Sequence, residues 1–555
     1  MALIQKVEEG LIAEIEKAIN GLEELNINNL PPVKLEVPRD ESHGDYATNI
    51  AMVLAGQAKM APRQIAEIIK SNLEDVDLIE KVEVAGPGFI NFHLSNSWLY
   101  DVLLEVHNKG QDYGKVNLGE NKKVQVEFVS VNPTGPLHVG HSRGAVVGDV
   151  LSNLLIKAGF DVTKEYYIND AGNQMNILGN SVAVRYRQLL GEDIEMPEDA
   201  YKGDYIKDIA QDIIDEFADK YLEEAKDKKI DFFREYGYKY CLKNIEEDLN
   251  SFGIEFDNWF SERTLHPEGI EEIVREFKDS DLIYEKDGAL WFKSTEFGDD
   301  KDRVVIKDDG NPTYLAADMA YHKNKYNRGF EEVINVWGAD HHGYIERMKA
   351  VVEALGYERD ALLIILVQLV TLLRDGEQVP MSKRAGNFVT LRDVVREVGK
   401  DAARYFYVML STNSHLDFDL ELAKKQSSDN PVYYIQYAYA RICSILDQVD
   451  EAGIEVPSIE DVQLSKLEAE EEIDLIKALA DYPNQIEKSA KNRAPHYIAR
   501  YAYDLASLFH KFYNKCYVLI EDKQLMKARL ILVLAAKQVL VNVLDLLGLD
   551  SPASM

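Results

Sequence analysis

From residue 1 to about 106 the apolar positions alternate between helical spacing and short strand-like runs. Among the latter are VKLEVP (33–38) and VEVAGPGFINFHL (82–94), whose GPG predicts a turn inside a hairpin or bulge. This stretch predicts a compact α+β unit. It gives way to HNKGQDYGKVNLGENKK (107–123), which is rich in Gly, Asn and Lys, has little periodicity and predicts a linker. A second pattern follows: the alternating run VQVEFV (124–129), the loop SVNPTGPL, helical spacing from His138 to Lys157, Gly159 as a stop, and the strand-like DVTKEYYI. That is one βαβ unit. Further on, VINVWG (333–338) leads into the helical YIERMKAVVEAL, and LLIILVQLVTL (362–372) suits a buried parallel strand, with a buried helix the alternative on pattern alone. Strands alternating with helices predict a parallel, doubly wound sheet whose ligands bind beyond the carboxyl ends of its strands. The helical, highly charged stretch of roughly 176–300 predicts an insertion that interrupts this sheet. From 401 to 555 only amphipathic helical spacing with frequent tyrosines is legible, which predicts an all-α bundle.

Composition narrows the class. The chain of 555 residues is 46% hydrophobic, enough for several cores, and at ~100 to 200 residues per domain it exceeds one small domain. Cys241, Cys443 and Cys516 lie far apart with no CxxC pair, which argues against a disulfide framework or a Cys-rich zinc site and for a reducing compartment. The N-terminal stretch carries acidic residues at helical intervals without an apolar signal core, and the longest apolar run found, Ala361 to Leu373, is short of the ~20 residues of a bilayer span. A cytosolic (cytoplasmic) protein with no membrane partner is the expectation.

A net charge of −34 argues at first against a nucleic-acid partner. The charge is segregated, however. Residues 491–530 hold eight basic side chains against three acidic, whereas 451–490 hold three against eleven. Seven aromatics, Tyr497, Tyr501, Tyr503, Phe509, Phe512, Tyr513 and Tyr517, are interleaved with that basic stretch, a combination that suits stacking on single-stranded bases; the alternative for about half of them is bundle core. Tyr513 and Tyr517, four apart and expected on one helical face, are the best candidates.

Two segments carry candidate chemistry. VNPTGPLHVGH (131–141) follows a strand and opens a helix, so its unpaired N–H groups, with Gly140 admitting a nucleotide to the backbone and His138 and His141 on one face, form a phosphate cradle. The plainer reading is a helix start with two incidental histidines; zinc would need further ligands, and no clear third one is near. VPMSKRAGN (379–387) reads alone as a polar loop with a lysine, but its place after a late sheet strand brings Lys383 toward the same sheet edge. The run Asp340 to Gly343, DHHG, lacks a second cluster to complete a metal site.

Together these segments resemble the HIGH and KMSKS elements of class I aminoacyl-tRNA synthetases, spelled here His138-Val139-Gly140-His141 and Met381-Ser382-Lys383-Arg384. With EFVSVNPTGPLHVGHSRGAVVGDVL, YYINDAGNQ, YLAADMAYH, VWGADHHGY and NPVYYIQYAYARI, the chain resembles the arginyl-tRNA synthetases of the bacterial type over nearly its full length. Pro380 stands where the KMSKS pattern has its first lysine and Arg384 where it has its last serine, so only Lys383 carries over. Asp401-Ala402-Ala403-Arg404 resembles the tetrapeptide that names the DALR anticodon-binding domain, and HGDYATN near residue 43 resembles the family's N-terminal domain, which contacts the outer corner of the tRNA.

The resemblance implies a multidomain α/β protein: an N-terminal α+β domain (1–106), a linker (107–123), a class I Rossmann-type catalytic domain (124–400, insertion about 176–300) and an all-α anticodon-binding domain (401–555). It implies ATP-dependent activation of L-arginine and transfer to tRNA(Arg), with ATP and Mg²⁺ as substrate, no tightly bound protein metal, and a monomer. His138, His141 and Lys383 would be catalytic, and Gly140, Met381 and Ser382 would join them around ATP. For the guanidinium the residues offer Tyr314 and Asp318, four apart on a helix, an aromatic and a carboxylate on one face. Asp340 and His341 fall at the end of a sheet strand, and by similarity Glu127, Ser130 and Asn132 hold the amino and carboxylate groups. A synthetase for another amino acid, a silent RNA-binding paralogue and a small nucleotidyltransferase are the alternatives.

Overall fold

The computed structural model describes residues 3–22, 27, 29–38, 40–73, 76–379 and 389–555, without the Glu41 side chain. At its centre is a five-stranded, wholly parallel sheet in the spatial order Leu362–Val367, Glu332–Gly338, Lys123–Glu127, Asp161–Ile168, Asn258–Ser261. Lys123–Glu127 is the first of these along the chain. The next two are added on one side of it and the last two on the other, so the order reverses between Lys123–Glu127 and Glu332–Gly338, the place where such sheets bind ligands. Register pairs Glu127 with Asn335 across that crevice.

The helix Val139–Lys157 covers this reversal, burying Val146, Val150, Leu151, Leu154 and Leu155. It lies so close to the first strand that a Cβ on Gly148 would fall 2.2 Å from the Phe128 ring. Gly159, at φ +88°, ends it as expected.

The insertion is helical but shorter than expected. Helices Asn173–Leu189, Asp204–Phe217, Leu222–Lys226 and Asp231–Ser251 enclose a separate core around Leu178, Tyr186, Ile206 and Phe233. The parallel sheet then resumes at Asn258–Ser261, inside the span read as interruption, because this four-residue strand needs only the neighbouring Glu165–Ile168 edge to pair with. An antiparallel sheet of Ile283–Lys286, Ala289–Phe292 and Arg303–Ile306 follows. The apolar run 362–372 is two strands: Leu362–Val367 in the main sheet and Val370–Arg374 in a small sheet with Glu377–Gln378 and Leu416–Asp419. That last strand lies in the region expected to be all helix.

At the N-terminus the helix Leu3–Asn20 and the helices Ile50–Ala58 and Pro62–Ser71 pack on strands Tyr46–Thr48, Ile79–Ala85 and Phe89–Leu94; the last two form the expected hairpin. VKLEVP makes only a bridge, Glu36 to Ala47. The helix Ser97–Lys109 runs through the expected boundary at 106, and the stretch read as linker is anchored: buried Tyr113 donates to the Leu479 carbonyl at 2.8 Å. Helices Pro431–Glu451, Glu470–Lys491, His496–Lys515 and Lys523–Leu547 form the C-terminal bundle. The last is long and apolar enough to cross a membrane, its apolar residues interspersed with polar ones, but 72% of its most apolar stretch is buried in the bundle. The bundle core is continuous with that under the Val139–Lys157 helix.

Candidate active site

His138 is the N-cap of the helix Val139–Lys157: its Nδ1 accepts from the Gly140 amide at 3.0 Å, which in the neutral ring leaves the proton on Nε2. The His141 ring packs beside it, centroids 3.6 Å apart. A Cβ on Gly140 would fall 2.8 Å from the His138 ring, so this glycine makes room for the imidazole that caps the helix, a reason the sequence reading did not contain. Met381, Ser382 and Lys383 lie outside the described residues. The chain re-enters at Val389, whose carbonyl accepts from Val139 at 3.0 Å, while Leu391 donates to the Leu137 carbonyl at 2.9 Å. Thr390 then caps the helix Leu391–Val398 in a capping box with Asp393.

Across the crevice the helix Tyr314–Asn327 presents Tyr314, Asp318, His322 and Lys325. Lys325 is fully buried and donates to Glu127 Oε2 at 2.5 Å and to Asn335 Oδ1 at 2.9 Å. Asn335 Nδ2 meets His322 Nε2 at 3.1 Å, and His322 Nδ1 lies 2.9 Å from the Asp318 carbonyl, to which it donates. Burial, reinforced by Lys325, depresses the imidazole to about 3, so it is neutral. Asp318 Oδ2 accepts from the Tyr344 hydroxyl at 2.6 Å. Burial, with Glu127 and Glu262 nearby, pushes the Asp318 carboxyl up to about 7 against the pull of that bond. The pocket thus concentrates negative charge that its resident lysine only partly offsets.

The expected residues divide accordingly. Glu127, buried, and Asp318, half-buried, join one network, with exposed Tyr314 one turn away. Ser130, reached through positive φ at Val129 and at Ser130 itself, accepts from the Tyr167 amide at 3.1 Å, and Asn132 donates to the Gln174 side chain. Asp340 and His341 start the 3-10 turn Ala339–Tyr344 at the carboxyl end of Glu332–Gly338 and stand open at the rim, with 78% and 59% of their side chains exposed. Lys325, His322, Asn335, Tyr344 and Glu262 were missed. For His322 and Lys325 a signal existed: they follow Asp318 at +4 and +7, on its helical face.

Three family models match in succession: "Arginyl tRNA synthetase N terminal domain" at residues 7–94, "tRNA synthetases class I (R), catalytic domain" at 102–413, and "DALR anticodon binding domain" at 435–555. The arginine–tRNA ligase of Caldanaerobacter subterraneus subsp. tengcongensis is 51% identical, with all of both chains covered. The chain belongs to the class I arginyl-tRNA synthetases. The arginine–tRNA ligase of Bacillus licheniformis is 50% identical over the full length of both proteins. The Thermus thermophilus arginyl-tRNA synthetase structure shares the fold, with a TM-score of 0.71 at 22% identity over 99% of this chain and all of that one.

In this synthetase the DALR-type bundle places the two tyrosines differently from expectation. Tyr513 lies on the helix His496–Lys515 with the Arg441 guanidinium 4.6 Å from its ring centre, and Arg441 also covers Tyr437 at 4.5 Å. Tyr517 does not share that helical face. The helix ends at Lys515, Cys516 turns extended, and Tyr517 stands 75% exposed, its carbonyl accepting from Arg529 at 2.6 Å. Tyr501, Phe509 and Phe512 are bundle core.

Proposed function

We propose that the protein activates L-arginine with ATP and transfers it to tRNA(Arg). The arginine carboxylate attacks the ATP α-phosphorus in line and pyrophosphate leaves with the bridging electrons. A ribose hydroxyl of the terminal adenosine then attacks the adenylate carbonyl and AMP leaves. No covalent enzyme intermediate is involved. Charge spreads over the phosphate oxygens, where the His138 and His141 imidazoles and Lys383 donate, with Mg²⁺ arriving on the ATP. Gly140, Met381 and Ser382 are proposed to join them around ATP.

The observation that carries the arginine reading is the Asp318 carboxylate, held by the Tyr344 hydroxyl near Glu127 and Glu262, with exposed Tyr314 one turn before it on the same helix. A guanidinium there regains the hydrogen bonds and counter-charge it gives up with water. Glu127, Ser130, Asn132, Asp340 and His341 are proposed for the amino and carboxylate end, with Glu127 acting from its ion pair with Lys325. Tyr513 and Tyr517 are proposed as anticodon-loop contacts, and the protein as a cytoplasmic monomer, which light scattering of the purified chain tests. The test of function is arginine-dependent ATP–pyrophosphate exchange with and without tRNA(Arg), followed by charging. Exchange that another amino acid supports better than arginine would overturn the reading.

A further inference from the structure

Two residues beyond His141, the helix Val139–Lys157 carries a guanidinium that the chemistry above leaves unused. Arg143 is wholly buried, and among the described residues no carboxylate stands within 4.0 Å of it. It donates instead to five backbone carbonyls: Nη1 to Ser414 at 2.7 Å and Gln368 at 3.2 Å, Nη2 to Ser411 at 2.8 Å and Leu410 at 3.5 Å, and Nε to Tyr407 at 3.4 Å. Tyr407, Leu410 and Ser411 belong to the end of the helix Lys400–Val408 and the turn after it, where carbonyls point outward and the helix dipole is negative. Ser414 precedes the strand Leu416–Asp419, and Gln368 joins the main sheet to the small one.

This arrangement constrains more than a salt bridge would. One carboxylate fixes a distance, whereas five acceptors on three segments, met by a planar fork, fix the rotation and the axial position of the helix. At ~100° per residue, Arg143 points to the side of the helix opposite His141. It therefore acts as a peg behind the turn that carries both imidazoles.

We propose that Arg143 is a positioning residue for ATP, setting the first turn of its helix so that the His138 and His141 imidazoles meet the phosphates. This rests on the reading of that turn as the nucleotide grip. Displacing a reacting group by ~1 Å can cost 10²-fold, so loosening the peg should act on the nucleotide and leave the acidic pocket on another helix alone.

The test is steady-state aminoacylation with the full-length Arg143→Lys variant, which keeps the charge and loses the fork. The expected result is a kcat lowered and a KM for ATP raised by roughly 10- to 100-fold together, with the KM for arginine within twofold of wild type. Arg404→Lys is the matched control: Arg404 is equally buried and donates to the Leu547 and Phe252 carbonyls and to Asp149 further along the same helix. A purely structural role predicts the same pattern from both lysine variants, or equal rises in both KM values, and either overturns the proposal. If Arg143→Lys does not fold, the double variant Ser411→Gly, Ser414→Gly decides. It keeps Arg143 and loosens the backbone bearing its two shortest acceptors, so a several-fold rise in the KM for ATP alone is expected, and an unchanged value overturns the proposal. Wild-type enzyme that charges no arginine would sink the functional reading itself, an outcome separate from any of these.

Discussion

The amide of Val139 donates to the carbonyl of Val389 at 3.0 Å, tying the helix that follows His138 to the segment that follows Lys383 in sequence. Two stretches 250 residues apart in sequence thus share a backbone hydrogen bond at the sheet crevice. In sequence, Lys383 precedes that bond by only a few positions.

Lys383→Ala should therefore act on chemistry more than on binding. Losing the cation proposed to offset charge on the leaving pyrophosphate should lower kcat for activation by roughly 10² to 10³, with the KM for arginine within twofold. Pyrophosphate exchange at saturating substrates measures it, and an unchanged rate removes the role given to this lysine.

Asp318→Ala should raise the KM for arginine by at least about 100-fold while the KM for ATP moves little, because the lost acceptor faces only the guanidinium. Equal effects on both substrates would place the pocket elsewhere.

The same carboxyl sets a pH dependence. With its value raised to about 7 in the free pocket, Asp318 is mostly protonated at pH 6 and mostly ionised at pH 8, and arginine needs the ionised form. The KM for arginine should fall about tenfold between those pH values, and Asp318→Asn should flatten the profile. The sign for stability is opposite. From 3.8 upward the folded state holds a proton that the unfolded chain releases, so this group's contribution to stability of the arginine-free enzyme declines until pH passes about 7. Thermal melts with and without arginine across that range check it.

Tyr517→Ala should leave the melting temperature unchanged, since the ring is exposed, and raise the KM for tRNA by roughly fivefold or more if it stacks on a base at ~1 to 3 kcal/mol. Charging at limiting tRNA reads this directly.

Gly148→Ala tests the packing beneath the site. Its methyl group would meet the Phe128 ring at 2.2 Å, and a loss of about 1 to 3 kcal/mol in denaturant unfolding is expected.

What could be read from the chain beforehand follows burial. The strands around Val126, Tyr166 and Val336 are covered on both sides, so they are apolar enough to stand out, and the helix opening at His138 announces itself by its loop and its glycine stop. Asn258–Ser261 is a strand only because its neighbour offers an edge, and four residues amid charged helices carry no periodicity of their own. Lys325 reads as a solvated lysine until Glu127, 198 positions away, is folded against it. Tyr517 was assigned to a helix because no glycine or proline follows Lys515 to mark the stop. Tyr314 and Asp318, an aromatic and an acid at i and i+4, are a local signal, whereas Tyr344 and Glu262 reach Asp318 from other elements.

The last helix, Lys523–Leu547, shares its apolar face with the cradle-bearing helix and with Ser97–Lys109, and Asn542 donates to the Gly110 and Tyr113 carbonyls at 3.0 and 3.2 Å. The part of the molecule that meets one end of a tRNA thus also forms a wall of the compartment serving the other end. A chain clipped before residue 523 would present a greasy flank to water, and would be expected to precipitate instead of surviving as a smaller working enzyme.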